Sequence, residues 1–157
     1  MKKLFFLLMF ILLTSCSKDD DEQDILPVEP FLDNQVLGGW AYDTFTINGQ
    51  TLGYPHIEAC DKDFFIFRNN EGQDHQYEER ISSNSNCAIT QTFLRWEIKG
   101  KMLNLYFGDP LIISYEILSI TKNTFTVLLK TDFDEDGMED EVEIKAVRYD
   151  PFGEFEN

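Results

Sequence analysis

Positive charge is what this sequence has least of: 13 Lys and Arg residues face 29 Asp and Glu. A surface so weighted repels phosphate backbones and anionic headgroups, which excludes nucleic acid as a partner and disfavours adhesion to a membrane by charge alone. Histidine occurs twice and cysteine three times, too few for a histidine-rich metal set. There is no Gly-x-Ser-x-Gly elbow and no glycine-rich phosphate loop, so neither a hydrolase nucleophile nor nucleotide binding is indicated. With 29 acids, a carboxylate pair of the glycosidase kind can be drawn anywhere and carries no information. The chain is therefore expected to be non-enzymatic. Beyond residue 13 no apolar run reaches the length of a membrane-spanning helix, and no segment holds a convincing helical period.

What is present begins at the amino terminus. Lys2 and Lys3 precede an unbroken apolar run over residues 4–13, and Leu13-Thr14-Ser15-Cys16 follows. A short basic stretch, an apolar core and small residues before a cysteine have the form of a secretory signal; an ordinary signal peptide ending near a cysteine would look much the same. The tetrapeptide resembles the lipobox of bacterial lipoproteins. That resemblance implies that Cys16 becomes the first mature residue and carries acyl chains, palmitate among them, on its sulfur and amino group. Several such chains give stable anchoring where one gives only marginal binding.

Residues 1–15 are thus expected to be a lipoprotein signal peptide. Residues 16–35, with Ser17-Lys18-Asp19-Asp20-Asp21-Glu22 and then Pro27 and Pro30, are expected to be a flexible acidic tether. The lysine-plus-acid run also resembles the export tag of some Gram-negative surface lipoproteins, which implies an outer-membrane address facing the cell exterior. Loss of Lys2 and Lys3 with the signal leaves 11 basic against 29 acidic residues, a net of −18.

The 14 Phe, six Tyr and two Trp suit a β-rich interior, and the length beyond the tether suits one domain. Extended segments are expected at residues 36–48, 63–68, 73–81, 89–99, 101–107, 111–120, 124–131 and 141–149. Asn48-Gly49, Asn69-Asn70-Glu71-Gly72, Lys99-Gly100 and Gly108-Asp109-Pro110 supply turns between them. Leu94, Trp96 and Ile98 alternate with Arg95, Glu97 and Lys99, and the sets Ile113/Tyr115/Ile117 and Phe125/Val127/Leu129 repeat the period of two. Each such strand has one buried and one wet face. The expected fold class is all-β: an eight-stranded antiparallel up-and-down barrel over residues 36–150, with a C-terminal tail at 151–157. A two-sheet sandwich would show the same alternation.

Leu37-Gly38-Gly39-Trp40, at the start of the first segment, resembles the Gly-x-Trp motif that opens lipocalins. A cysteine before the second strand, another before the fourth, and Trp96-Glu97-Ile98-Lys99-Gly100 resemble the small lipocalin-like domains of bacterial surface lipoproteins. The resemblance covers about residues 36–149. It implies that Trp40 packs across the barrel floor and that Leu94, Trp96, Tyr115, Ile117, Phe125 and Val127 line an interior open to a small apolar ligand. The threonine-aspartate-tyrosine motif and the basic closing motif of large lipocalins are not found. Because the inward residues are mostly large, a filled interior or a shallow pocket at the mouth is expected.

With Cys16 lipidated, Cys60 and Cys87 form an even pair in an exported chain and are expected to be a disulfide. The alternative is zinc held by His56, Cys60, His75 and Cys87, although spacings of four, fifteen and twelve match no common zinc knuckle. Residues 132–143 fit D-x-D-x-D-G-x5-E, the calcium-loop pattern. Asp132, Asp134 and Asp136 would fold around the ion, Met138 would offer its carbonyl, Asp140 would act directly or through water, and Glu143 would close the site. The loop joins two strands rather than two helices, so a calcium-stapled hairpin is expected, with an ordinary acidic turn as the alternative. Taken together, these features describe a monomeric, lipid-anchored, lipocalin-like protein that binds a small apolar ligand. The competing reading is a surface interaction or scaffold module with a filled barrel, accessory to a cell-surface assembly; a weaker one is an enzyme acting on lipid or glycan.

Overall fold

Asn48 and Gly49 both adopt positive φ, 51° and 78°, the requirement of the tight turn whose twist matches paired strands. They join β1 (Gly38–Ile47) to the short β2 (Gln50–Gly53). The computed structural model describes residues 29–69 and 75–155. The remaining elements are α1 (Glu29–Val36), β3 (Phe64–Arg68), β4 (Gln76–Ser82), β5 (Ile89–Lys99), β6 (Met102–Tyr106), β7 (Leu111–Ile120), β8 (Thr124–Thr131) and β9 (Asp140–Arg148). Every pairing is antiparallel, and β3 to β9 follow one another in sheet order.

The sheet closes because β1 pairs with β3 through Gly38–Ala41 on one edge and with β9 on the other, from Trp40↔Arg148 to Ile47↔Val142. An irregularity between Tyr42 and Thr44 bends β1 there. Closure makes an up-and-down barrel of eight strands and excludes the sandwich. The ninth strand, β2, is a flap on the upper half of β1, with Thr44–Ile47 as its partner. It escapes sequence reading because its four residues are all exposed and show no alternation.

Residues 29–35, expected to end the tether, and Val36, expected to open the first strand, instead form α1. Two turns of helix do not hold alone in water; this helix is held by burial of Leu32 and Val36 in the main core and by the Trp40 Nε1–H donating to the Val36 carbonyl at 2.8 Å. The opposite terminus also folds back. Asp150 accepts from the backbone N–H groups of Phe152, Glu154 and Phe155, curling residues 150–155 against the outside of the barrel. This explains the apolar run Phe64-Phe65-Ile66-Phe67. Phe65 and Phe67 point into the barrel, while Phe64 and Ile66 pack with Ala41 under Val147, Tyr149 and Phe155. The tail approaches so closely that a Cβ on Gly39 would lie 2.2 Å from the Tyr149 carbonyl oxygen, which explains glycine there.

Candidate functional site

The barrel floor is built around Trp40, which is fully buried beneath α1. Its ring sits 5.4 Å from Phe125, and the Arg148 guanidinium lies 3.6 Å from its centroid. Arg148 also donates to the Leu37 carbonyl at 2.6 Å and the Gln35 carbonyl at 3.4 Å, so one cation stitches β9 to the start of β1 and the end of α1. No basic closing residue is evident from the sequence; the barrel brings Arg148 to Trp40 by register alone.

Above the floor, Trp96, Ile117, Phe125 and Val127 are buried, and Leu94 and Tyr115 pack against them, so all the predicted interior residues face inward. Of the seven residues expected to bind ligand, Tyr115, Phe125 and Val127 line the remaining space; Trp40, Leu94, Trp96 and Ile117 are packing around it. That space is about 20 Å³, enough for one water and far below the roughly 300–1,000 Å³ of a typical ligand pocket. The barrel is filled, as its large inward residues foretold.

Sequence reading misses a polar layer across the barrel. The Tyr42 and Tyr77 hydroxyls both donate to Oε1 of Glu79, the latter at 3.3 Å. Burial, with the charge of Glu79 and neighbouring phenols, raises Tyr42 and Tyr77 well above the ordinary phenol range. Burial and Glu79 push Tyr115 up to about 12. All three therefore remain protonated at neutral pH, and Tyr42 and Tyr77 serve as fixed donors. The signal was available: Tyr77 and Glu79 share a strand face by the period of two, pairing with Leu94 and Thr92.

Glu78 points outward yet is buried, accepting from Arg68 (2.7 Å), Arg80 (2.6 Å) and Gln91 (2.7 Å). Burial alone would raise its pKa; the donors outweigh that and hold it below the ordinary glutamate range. A carboxyl depressed on folding contributes stability above its unfolded value and loses it as pH falls through the folded one. Glu78→Gln is therefore expected to lower the melting temperature at pH 7, with the gap to wild type closing below about pH 4. Thermal melts across pH check this; a gap unchanged down to pH 2.5 would show that the pair contributes no linked charge.

Cys60 and Cys87 are bonded, with Cα atoms 5.4 Å apart, tying the β2–β3 loop to the β4–β5 loop. The zinc alternative is overturned, since both sulfurs are used in the bridge. Nor are the histidines idle surface groups. His56 accepts the Asp63 N–H at Nδ1 (3.0 Å), which places its proton on Nε2, 2.8 Å from the Tyr42 carbonyl. His75 stacks on Trp96 with centroids 4.3 Å apart.

At the β8–β9 tip, one carboxylate oxygen each from Asp132, Asp134 and Asp136 lies within 4.8 Å of the others. Gly137, at φ 88°, makes the turn that the pattern requires, and its N–H donates to Asp132 at 3.0 Å. The other two predicted carboxylates, Asp140 and Glu143, do not join this group. Asp140 is engaged by the Phe133 N–H (3.0 Å) and Asn48 (3.3 Å). Glu143 lies within β9, paired with Thr46 and Leu128, because an extended strand carries it away from the loop where a helix would have turned it back. Met138 is exposed at the tip. Cys16 and residues 1–28 lie outside the described residues.

With the barrel, the Gly-x-Trp floor and the disulfide in place, a family model described as a lipocalin-like domain matches residues 36–127. The chain belongs to the lipocalin-like domain family. Its fold is similar to that of a solved lipocalin-like protein from Bacteroides uniformis ATCC 8492, with 11% identity, a TM-score of 0.47, and coverage of 73% of this chain and 99% of that one. No curated protein matches the chain.

Proposed function

We propose that this chain is a lipid-anchored, non-enzymatic lipocalin-like module that works through its outer surface, its barrel serving as a rigid scaffold. The observation that carries this reading is the interior of about 20 Å³, bordered by Tyr42 and Tyr77, whose hydroxyls meet on Glu79. The lipocalin-like fold is in general a binding fold rather than a catalytic one, and this chain offers its apolar surface at the rim. Phe107, Leu111, Ile112, Phe133 and Met138 are all exposed at the β6–β7 and β8–β9 ends. Exposed large apolar residues gathered at one end of a domain mark interaction sites.

The ligand-carrier reading keeps one observation in its favour: apart from three phenols, the residual space is lined by apolar side chains. Titrating the purified protein with an apolar naphthylamine dye separates the readings. No saturable fluorescence supports the scaffold; one-to-one saturation displaced by a fatty acid overturns it.

Anchoring rests on the lipobox-like Leu13-Thr14-Ser15-Cys16. Cys16→Ala is expected to move the protein out of the membrane fraction or leave it unprocessed, as judged by fractionation and intact mass. Retention without acyl mass would remove the anchor from the proposal. Calcium at the hairpin is supported by the three gathered aspartates. Without Glu143 in reach, weak binding at the extracellular end, roughly 10⁻⁴–10⁻³ M, is expected. Millimolar calcium should then raise the melting temperature by mass action, and Asp134→Asn with Asp136→Asn should abolish that rise. Identical wild-type melts in calcium and in chelator would leave only an acidic turn.

A further inference from the structure

A cavity of about 130 Å³ lies outside the barrel, where the chain after β9 crosses β3 and β4. It is several times larger than the space inside. Three rings stand in its walls beside Ile89 and Pro151: Phe64 meets Phe152 edge-on at 5.9 Å and Tyr149 at a tilt at 5.6 Å. The Arg80 guanidinium lies 4.8 Å from the Phe152 centroid. Arg80 commits only its Nε, at 2.6 Å, to Glu78, a carboxylate that Arg68 shares at 2.7 Å. Among the described residues the Nη edge of Arg80 takes part in no hydrogen bond, and Lys62, on the same lining, takes part in no ion pair. The lining holds these two cations against one acid, Asp61. On a chain of net charge −16 this lining still carries more cations than acids, and it is backed by rings.

Those features select a ligand by shape and charge. An apolar cavity of about 150 Å³ accepts benzene; at about 130 Å³ this recess is close to that size, which limits its occupant to a single aromatic ring. A guanidinium edge is matched by a carboxylate, which it can bind through two parallel hydrogen bonds, and a ring gains from edge and offset contacts with other rings. We propose that this recess binds a small aromatic carboxylate, its ring against Phe64 and Phe152 and its carboxylate on Arg80 and Lys62. The site is separate from the barrel interior and does not depend on whether the barrel is filled.

The test is an amide-shift NMR titration of the purified protein with benzoate. Saturable shifts at Ser82, Ile89 and Phe152, which line the recess, are expected. Benzamide, nearly isosteric but uncharged, should bind about tenfold more weakly, as should acetate, which lacks the ring. Phe152→Ala alters a partly exposed residue of the terminal segment; it should retain the fold and also weaken benzoate about tenfold, so the test does not rest on Arg80→Gln, which disturbs Glu78. Absence of saturable shifts at the recess overturns the proposal, as do equal affinities for benzoate and benzamide. Shifts confined to barrel residues such as Tyr77 and Phe125 would also overturn it.

Discussion

Trp40→Ala is expected to destabilise the fold by about 3–5 kcal/mol, the range for truncating a buried tryptophan. The residue is fully buried, and three neighbours depend on it. Phe125 loses a ring contact, the Val36 carbonyl loses its donor, and the Arg148 guanidinium loses the π-face on which it lies at 3.6 Å. A domain of this size is held by roughly 5–15 kcal/mol in all, so the variant should unfold at a much lower denaturant concentration. Trp40→Phe should cost less, because it keeps the burial and gives up only the Nε1 bond and part of the cation–π attraction. Chemical unfolding followed by circular dichroism reads both effects without relying on Trp96 emission. A Trp40→Ala loss below about 1 kcal/mol would show that α1 and Arg148 close the floor on their own.

The parts of this fold that were legible in the sequence are those where one face is wet. Leu94, Trp96 and Ile98 alternate with charged residues in β5, and Phe125 and Val127 do so with Thr124 and Thr126 in β8, so period alone locates these strands and their inward side. Legibility fails where burial comes from something distant in the chain. Phe64 and Ile66 would be exposed on an isolated barrel and are covered by Tyr149 and Phe155. The α1 helix exists because the barrel end needs Leu32 and Val36. Arg148 reaches Leu37 across a separation of 111 residues, set by the register of β9 on β1.

The candidate sites divide in the same way. The disulfide follows from cysteine parity, and the three aspartates at the hairpin tip follow from local spacing. The expected closing carboxylate, Glu143, does not join them because the pattern was written for a loop that returns into a helix, whereas here it enters β9. The recess under Phe152 has no signature in the sequence at all. It is made by a tail that the Asp150 turn folds back onto Phe64 and Arg80.

Removal of the Cys60–Cys87 bridge should cost about 3–4 kcal/mol on the chain-entropy account, since it closes a loop with a sequence separation of 27. The loop spans β3 and β4, so losing the bridge frees no single flap: it releases both the approach to β3 and the approach to β5 at the same rim. Local bonds keep part of the order. Asn84 accepts from the N–H groups of Asn86 and Ala88, and His56 still joins the Tyr42 carbonyl to the Asp63 N–H. The double variant Cys60→Ala with Cys87→Ala should therefore fold to the same barrel and unfold earlier in denaturant, while its amides over 54–62 and 83–88 exchange faster. Reductant should shift wild type toward the variant and leave the variant unmoved. If reductant lowers the midpoints of both equally, the loss comes from something other than the bridge. If wild type is indifferent to full reduction, the β2–β3 and β4–β5 loops are held by their hydrogen bonds, and the disulfide adds little to the native state.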